Sequence, residues 1–193
     1  MSNTHFLAAI QKITAGGLPL DELLVSAQGL EPDQARQLYQ VWISFNKEHP
    51  LLFIAHFNCS TLLQQMGDEQ GGEAELKAAL ALKPDFAPAC INLGSSYERR
   101  GMAKEAVDQW RNGVDQMAAV SGDAINYKTT LLKQISRVLS DNQALSAAEI
   151  ALTQCLELAP DARDVAEQYV AARLSQCKWP MTPEGSKISR RTL

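Results

Sequence analysis

Apolar side chains recur at three- and four-residue steps along most of this 193-residue chain. A period near 3.6 residues predicts amphipathic helices, and three of them are expected before the break at His49-Pro50. They cover residues 4–15, 20–29 and 32–48. In the last of them the apolar positions are Ala35, Leu38, Tyr39, Trp42 and Phe45.

The middle of the chain repeats itself. Residues 53–86 align with residues 87–120 at an offset of 34. The alignment places Cys59 on Leu93, Ser60 on Gly94, Leu63 on Tyr97, Gly67 on Gly101, Gly72 on Ala106, Leu76 on Trp110 and Ala79 on Gly113. A 34-residue period with alternating small and large positions is the signature of the tetratricopeptide repeat, a helix–turn–helix unit. The small residues let two helices cross closely, and the large ones fill the space between neighbouring hairpins.

A third copy follows at an offset of 42. Its matching positions are Ile135, Leu139, Ala148, Leu152 and Cys155, and Pro160 closes it as Pro84 closes the first copy. Eight additional residues therefore lie between Met117 and Tyr127. Two interpretations stay open for them, a longer loop between repeats or an extended helix.

The predicted fold is all-α, a right-handed tetratricopeptide superhelix of antiparallel helix hairpins. Degenerate capping helices are expected over residues 1–50 and the repeat array over 51–176. The array divides into units at 53–86, 87–120 and 129–162, with a capping helix at 163–176. Residues 177–193 contain Pro, Gly and Ser without an apolar period, which predicts a junction and a flexible tail.

Composition narrows the function. Apolar residues make up 46% and aromatic residues 6%, which favours helices in close contact over a β-sandwich. A formal charge of −4 argues against nucleic-acid binding, and no apolar run is long enough for a membrane span. The N-terminus has no signal-peptide pattern, so a cytoplasmic location is expected, with Cys59, Cys90 and Cys155 buried and reduced.

The last predicted helix ends in Cys177-Lys178-Trp179-Pro180, and the chain then reaches Ser189 to Leu193, which read SRRTL. Repeats followed by these two motifs resemble the N-terminal region of bacterial SPINDLY-family proteins, which are similar to O-GlcNAc transferases. The resemblance implies a region that recruits substrate for a glycosyltransferase, whose nucleotide-sugar-binding lobes would lie beyond Leu193. No catalytic residue of such an enzyme maps onto this chain.

The first helices of stacked repeats line a concave groove that suits extended peptides. Asn58 and Asn92 occupy the same repeat position, and Gln134 takes it in the third unit. A side-chain amide both donates and accepts, so it can bind peptide backbone whatever the sequence. The resemblance implies an asparagine ladder with this role; the alternative is that Asn is simply common before Leu-Gly in such repeats. The other predicted groove residues are Phe57, Thr61, Gln65, Ser95, Glu98 and Arg99.

We therefore expect a protein or an extended peptide as the partner. Self-association through exposed groove residues and Trp179 is also expected. No cofactor and no catalytic site is predicted, and the spacing of His56, Cys59 and Cys90 lacks the close pairing of a structural zinc site. Two functions stay open, the recruiting region of a transferase or a free-standing adaptor for protein assembly.

Overall fold

The described part of the chain forms α-helices joined by short connections. The computed structural model describes residues 2–117 and 121–179, and in those ranges the regular secondary structure is entirely helical. The helices are α1 (Ser2–Thr14), α2 (Leu20–Gln28), α3 (Pro32–Phe45), α4 (Leu52–Gln65), α5 (Glu69–Leu82), α6 (Ala87–Arg99), α7 (Ala103–Gln116), α8 (Gly122–Asp141), α9 (Leu145–Leu158) and α10 (Arg163–Ser175). The all-α fold class predicted from the pattern is confirmed. The division of the array into repeat units remains a proposal.

The chain divides after Leu93 into two compact units, here named the N-terminal unit and the C-terminal unit. In the N-terminal unit α3 packs against α1, α2 and α4, and α4 packs against α5. Trp42 of α3 is fully buried, and its indole N–H donates to the carbonyl of Leu18 at 2.9 Å. The large residue of the apolar stripe therefore fixes the capping helices through both contact and a hydrogen bond.

The C-terminal unit is built from consecutive antiparallel neighbours. α7 packs on α8, α8 on α9 and α9 on α10. Trp110 of α7 is fully buried and lies directly against Gly94. Tyr169 of α10 is also fully buried. Trp110 occupies a large position of the repeat, which the pattern assigned to packing between hairpins, so the pattern located this part of the core correctly.

The turn inside each hairpin ends on a residue with left-handed backbone. Gly67 has φ +83° after α4, and Gly101, which is 34 positions later, has φ +75° after α6. Gln143 is 42 positions later again and has φ 61° after α8. Glycine adopts this conformation at no steric cost, whereas a side chain at this position is strained. The third hairpin thus keeps the turn geometry without the residue that favours it.

Replacing Gln143 by glycine is expected to stabilise the chain by roughly 0.5–1 kcal/mol, because the strain of a left-handed side chain exceeds the added freedom of glycine when unfolded. Urea unfolding followed by circular dichroism measures the change. The matched control is Asn142→Gly, one residue earlier at φ −92°, which is expected to destabilise. A loss of stability in Gln143→Gly would contradict the strain at this turn.

The additional residues before Tyr127 belong in part to a helix. α8 has 20 residues, whereas α4, α5, α7 and α9 have 14 each. It begins at Gly122, and the hydroxyl of Ser121 caps it by accepting from the backbone N–H of Ala124 at 3.3 Å. Of the two interpretations of the insertion, the extended helix therefore applies from residue 122 onward. Residues 118–120 lie outside the described residues.

Candidate functional site

The predicted groove residues of the N-terminal unit lie on α4 and α6. Asn58 is half-buried, and its side-chain N–H donates to the carbonyl of Ile54 at 2.9 Å, one turn earlier in its own helix. One of its two amide hydrogens is therefore already used, while its carbonyl oxygen remains as an acceptor. Asn92, one repeat later, is half-buried on α6.

Phe57 and Thr61 are occupied by local contacts. The ring of Phe57 meets that of Phe86 edge to face, with centroids 5.3 Å apart. The hydroxyl of Thr61 donates to the carbonyl of Phe57 at 3.2 Å. Gln65 is exposed at the end of α4. Phe57 thus acts partly as a packing residue, which the repeat register alone did not indicate.

A groove of about 510 Å³ lies in the C-terminal unit between α8 and α10, with α9 beneath it. Leu145 and Leu152 of α9 supply an apolar floor. From α10 come Gln168, Ala171, Ala172 and Ser175, and from α8 come Lys133, Gln134, Arg137, Ser140 and Asp141. Both sets follow helical spacing, so each helix presents one stripe to the groove.

The α8 stripe repeats the register of the preceding repeat. Adding 42 to positions 91, 92, 95, 98 and 99 gives 133, 134, 137, 140 and 141. These are the five α8 residues that line the groove. Ser95, Glu98 and Arg99 of α6 are therefore the counterparts of Arg137, Ser140 and Asp141. Only Gln134 was predicted as a groove residue in this helix; the same offset, applied to Ser95, Glu98 and Arg99, would have located Arg137, Ser140 and Asp141.

Arg137 connects two predicted residues. One terminal nitrogen of its guanidinium donates to Glu98 at 2.7 Å and to the side-chain oxygen of Gln134 at 2.8 Å. The other terminal nitrogen lies 3.6 Å from Asp141. The hydrogen bond from Arg137 lowers the pKa of Glu98, which is therefore ionised at neutral pH. Arg137 is thus held by its own chain, and its positive charge is already compensated.

The second cation of the groove is paired in the same way. The ammonium of Lys133 lies 2.6 Å from a carboxylate oxygen of Asp164 on α10. The hydrogen bond from Lys133 lowers the pKa of Asp164. Because both cations have carboxylate partners, the groove offers a ligand mainly neutral polar groups.

Those neutral groups are amides and a hydroxyl. The oxygen of Gln134 accepts from Arg137, so its amide nitrogen remains available with two hydrogens. Across the groove, Gln168 is exposed, and its side chain forms no hydrogen bond to another described residue. Ser140 adds a hydroxyl one turn after Arg137. An amide on each wall above an apolar floor is an arrangement that suits the backbone of an extended peptide.

The histidine and cysteines singled out earlier have structural surroundings. His56 Nδ1 lies 2.5 Å from a carboxylate oxygen of Glu75, and the two side chains join α4 to α5. Cys59, Cys90 and Cys155 are buried, as predicted, and burial raises the pKa of the Cys59 thiol to about 12. In residues 2–117 and 121–179 no group of three or more His, Cys, Asp or Glu side chains could hold a metal ion.

The junction motif is described as far as Trp179. Cys177 is exposed with φ 52°, Lys178 is paired with Glu149 at 2.6 Å, and Trp179 is 73% exposed. Pro180, Ser189 to Leu193 and the predicted flexible tail lie outside the described residues. Self-association through Trp179 stays a prediction, which sedimentation velocity over a concentration series would measure. No described helix is long and apolar enough to cross a membrane.

Comparison with known proteins relates the chain to others through its fold. No family model and no curated protein matches it. MamA 41-end from Desulfovibrio magneticus RS-1 is 13% identical, with a TM-score of 0.55 over 91% of this chain and 85% of that one. BtubC from P. vanneervenii is 12% identical, with a TM-score of 0.63 over 82% and 73%. The pilF protein of Pseudomonas aeruginosa is 14% identical, with a TM-score of 0.57 over 91% of this chain and 71% of that one. These are tetratricopeptide-type proteins, so the predicted tetratricopeptide-type fold of this chain is confirmed.

Proposed function

We propose that this chain is a protein-binding scaffold that holds extended peptide segments. The observation that carries the proposal is the groove between α8 and α10, which Gln134 and Gln168 line together with Leu145 and Leu152. Its volume of about 510 Å³ is within the range of ligand sites. The amides bind backbone groups of any sequence, and the apolar floor accepts side chains without strict selection.

The ladder of amides extends the proposal to the N-terminal unit. Asn58 and Asn92 share the repeat position of Gln134. Asn58 still has its carbonyl oxygen and one hydrogen for a ligand after its bond to Ile54. Each of these amides would bind the backbone groups of a peptide segment. The role proposed for this groove is therefore binding and not catalysis.

We further propose that the scaffold recruits substrates for a protein O-GlcNAc-transferase-like glycosyltransferase. This proposal rests on the Cys177-Lys178-Trp179-Pro180 motif and on the SRRTL sequence that begins at Ser189. The reading frame after codon 193 tests it. Continuation into two nucleotide-sugar-binding lobes is the expected result. A stop codon without a neighbouring transferase frame would contradict the proposal and favour the free-standing adaptor.

Exchange of both groove amides, Gln134→Ala with Gln168→Ala, is expected to weaken binding of unrelated peptides by about tenfold. Each lost hydrogen bond accounts for about 0.5–1.5 kcal/mol. Fluorescence anisotropy with a panel of labelled peptides of different sequence measures the effect. Similar factors across the panel are expected because the amides contact backbone.

The matched control is Glu167→Ala, beside Gln168 on α10 but outside the groove lining. It should leave every affinity unchanged. The same panel applied to Asn58→Ala with Asn92→Ala tests the N-terminal rungs. Undiminished binding in both double variants would contradict the proposal that these amides bind peptide backbone.

A further inference from the structure

A second hollow of about 380 Å³ lies in the C-terminal unit, between α7 and the α8–α9 turn. It shares no lining residue with the groove between α8 and α10. Its apolar lining consists mainly of Val107 from α7, Val138 and Leu139 from α8, and Ala147 from α9. Val107 and Val138 are buried, so the hollow is a recess in the core surface and not a single exposed side chain.

The charged residues around this hollow are unevenly paired. Lys104 and Asp108 neutralise each other at 3.0 Å. Arg111, one turn after Val107 on the same helix, is exposed, and no described carboxylate forms an ion pair with it. Asn142 donates its side-chain N–H to the carbonyl of Val138 at 2.8 Å, and this bond does not use its side-chain oxygen, which is an acceptor. Among the described residues that line the hollow, Arg111 is therefore a cation without an ion pair.

We propose that this hollow binds a partner protein through an aliphatic side chain followed by a carboxylate, as in a Leu-Asp or Val-Glu step. The aliphatic group enters the recess between Val107, Val138 and Ala147, where it removes apolar surface from water. The carboxylate meets Arg111, whose planar guanidinium binds such a group through two parallel hydrogen bonds. A lysine at that place in the partner is disfavoured by the same charge.

The ligand class thus differs from that of the peptide groove. Between α8 and α10 the cations Lys133 and Arg137 already have carboxylate partners. At Arg111 the partner is missing within the described ranges. The proposed function concerns backbone binding in the groove and is independent of this second surface.

Three capped dipeptides test the proposal by NMR on the isotope-labelled full chain: acetyl-Leu-Asp-amide, acetyl-Leu-Asn-amide and acetyl-Leu-Lys-amide. We expect the Asp probe to shift the backbone signals of Val107, Arg111 and Ala147. It should bind about fivefold more tightly than the Asn probe. This factor is at the upper end of what an exposed ion pair contributes to affinity. The Lys probe should bind most weakly. Equal affinities for all three, or shifts confined to the groove between α8 and α10, would overturn the proposal.

Two variants, each with a control, test the roles of Arg111 and of the apolar recess. Arg111→Gln should abolish the difference between the Asp and Asn probes, whereas Arg163→Gln, an exposed arginine on α10 outside both lining sets, should preserve it. Ala147→Phe, with its fold checked by circular dichroism, should fill the recess and remove the shifts caused by all three probes. Gln134→Ala with Gln168→Ala should leave them in place. If Arg111→Gln retains the full preference for Asp, the assignment of the carboxylate to this arginine is wrong.

Discussion

Replacing Gly94 by alanine is expected to destabilise the C-terminal unit by about 3 kcal/mol. A Cβ atom at this position would lie 2.1 Å from Nε1 of Trp110 and 2.5 Å from two further ring atoms. These distances are far shorter than any van der Waals contact, and the indole is fully buried, so it has no free space to move into. Urea unfolding of the full chain, followed by circular dichroism, measures the loss.

Gly122→Ala is the matched control, since it is also a helical glycine of the C-terminal unit. A Cβ there meets nothing within 4 Å. Alanine has the higher helix propensity, so this variant should be neutral or slightly stabilised. If Gly94→Ala behaved like Gly122→Ala, the close approach of α6 and α7 at Trp110 would be refuted.

Exchange of Glu149 for glutamine should lower the free energy of unfolding by about 2–3 kcal/mol, which is less than the effect of breaking a fully buried ion pair. The Glu149 carboxylate on α9 accepts from Arg173 at 2.6 Å, from Lys178 at 2.6 Å and from Gln176 at 3.2 Å. The side chains of Glu149 and Arg173 are only 12% and 11% exposed. Glutamine keeps the shape but removes the negative charge that the nearly buried guanidinium of Arg173 contacts. Urea unfolding gives the free energy, and proteolysis reports the release of α10.

The pH dependence of this effect provides an internal check. Burial alone raises the pKa of Glu149, but hydrogen bonds from Lys178 and Arg173 outweigh it and leave the pKa below its ordinary value. A lowered folded-state pKa means that the stabilisation is complete above the unfolded pKa of about 4.3 and is lost as the pH falls through the folded value. The advantage of the natural chain over Glu149→Gln should therefore disappear in acid.

An exposed ion pair is the appropriate comparison. Asp108→Asn removes the partner of Lys104, whose side chain is 85% exposed. Such pairs contribute about 0–1 kcal/mol, so this variant should remain close to the natural chain. A similarly small effect of Glu149→Gln, or one that persists unchanged in acid, would show that the carboxylate does not hold α10 in place.

The fold was predictable because small and large residues recur at fixed positions of the repeat. Gly94 and Trp110 were matched to small and large repeat positions, and the structure places one against the other. The turn at Gln143 was missed because glycine is the usual signal there, and glutamine carries no local preference for a left-handed backbone. Periodicity thus located the helices better than it located the strained turn.

The candidate site was harder to predict from the sequence than the fold. Gln134 was identified by its repeat position, whereas Arg137 and Gln168 were not identified. Arg137 has its role because Glu98 lies on another helix 39 residues earlier, a contact that local spacing does not predict. Glu149 was missed for the same reason, since its donors lie 24 to 29 residues later. Long-range ion pairs depend on how helices pack, which composition and period leave undetermined.

The length of α8 has a consequence for how repeats of this kind are detected. With 20 residues against 14 in α9, α8 is longer by six residues, which correspond to nearly two helical turns and about 9 Å of helix. Because the additional residues precede the packed part of α8, the later turns keep their contacts with α9. A profile with a fixed spacing of 34 residues would nevertheless lose its register after Met117 and score the third hairpin as unrelated sequence. Allowing helical insertions at repeat junctions would recover hairpins that differ only in where the helix begins.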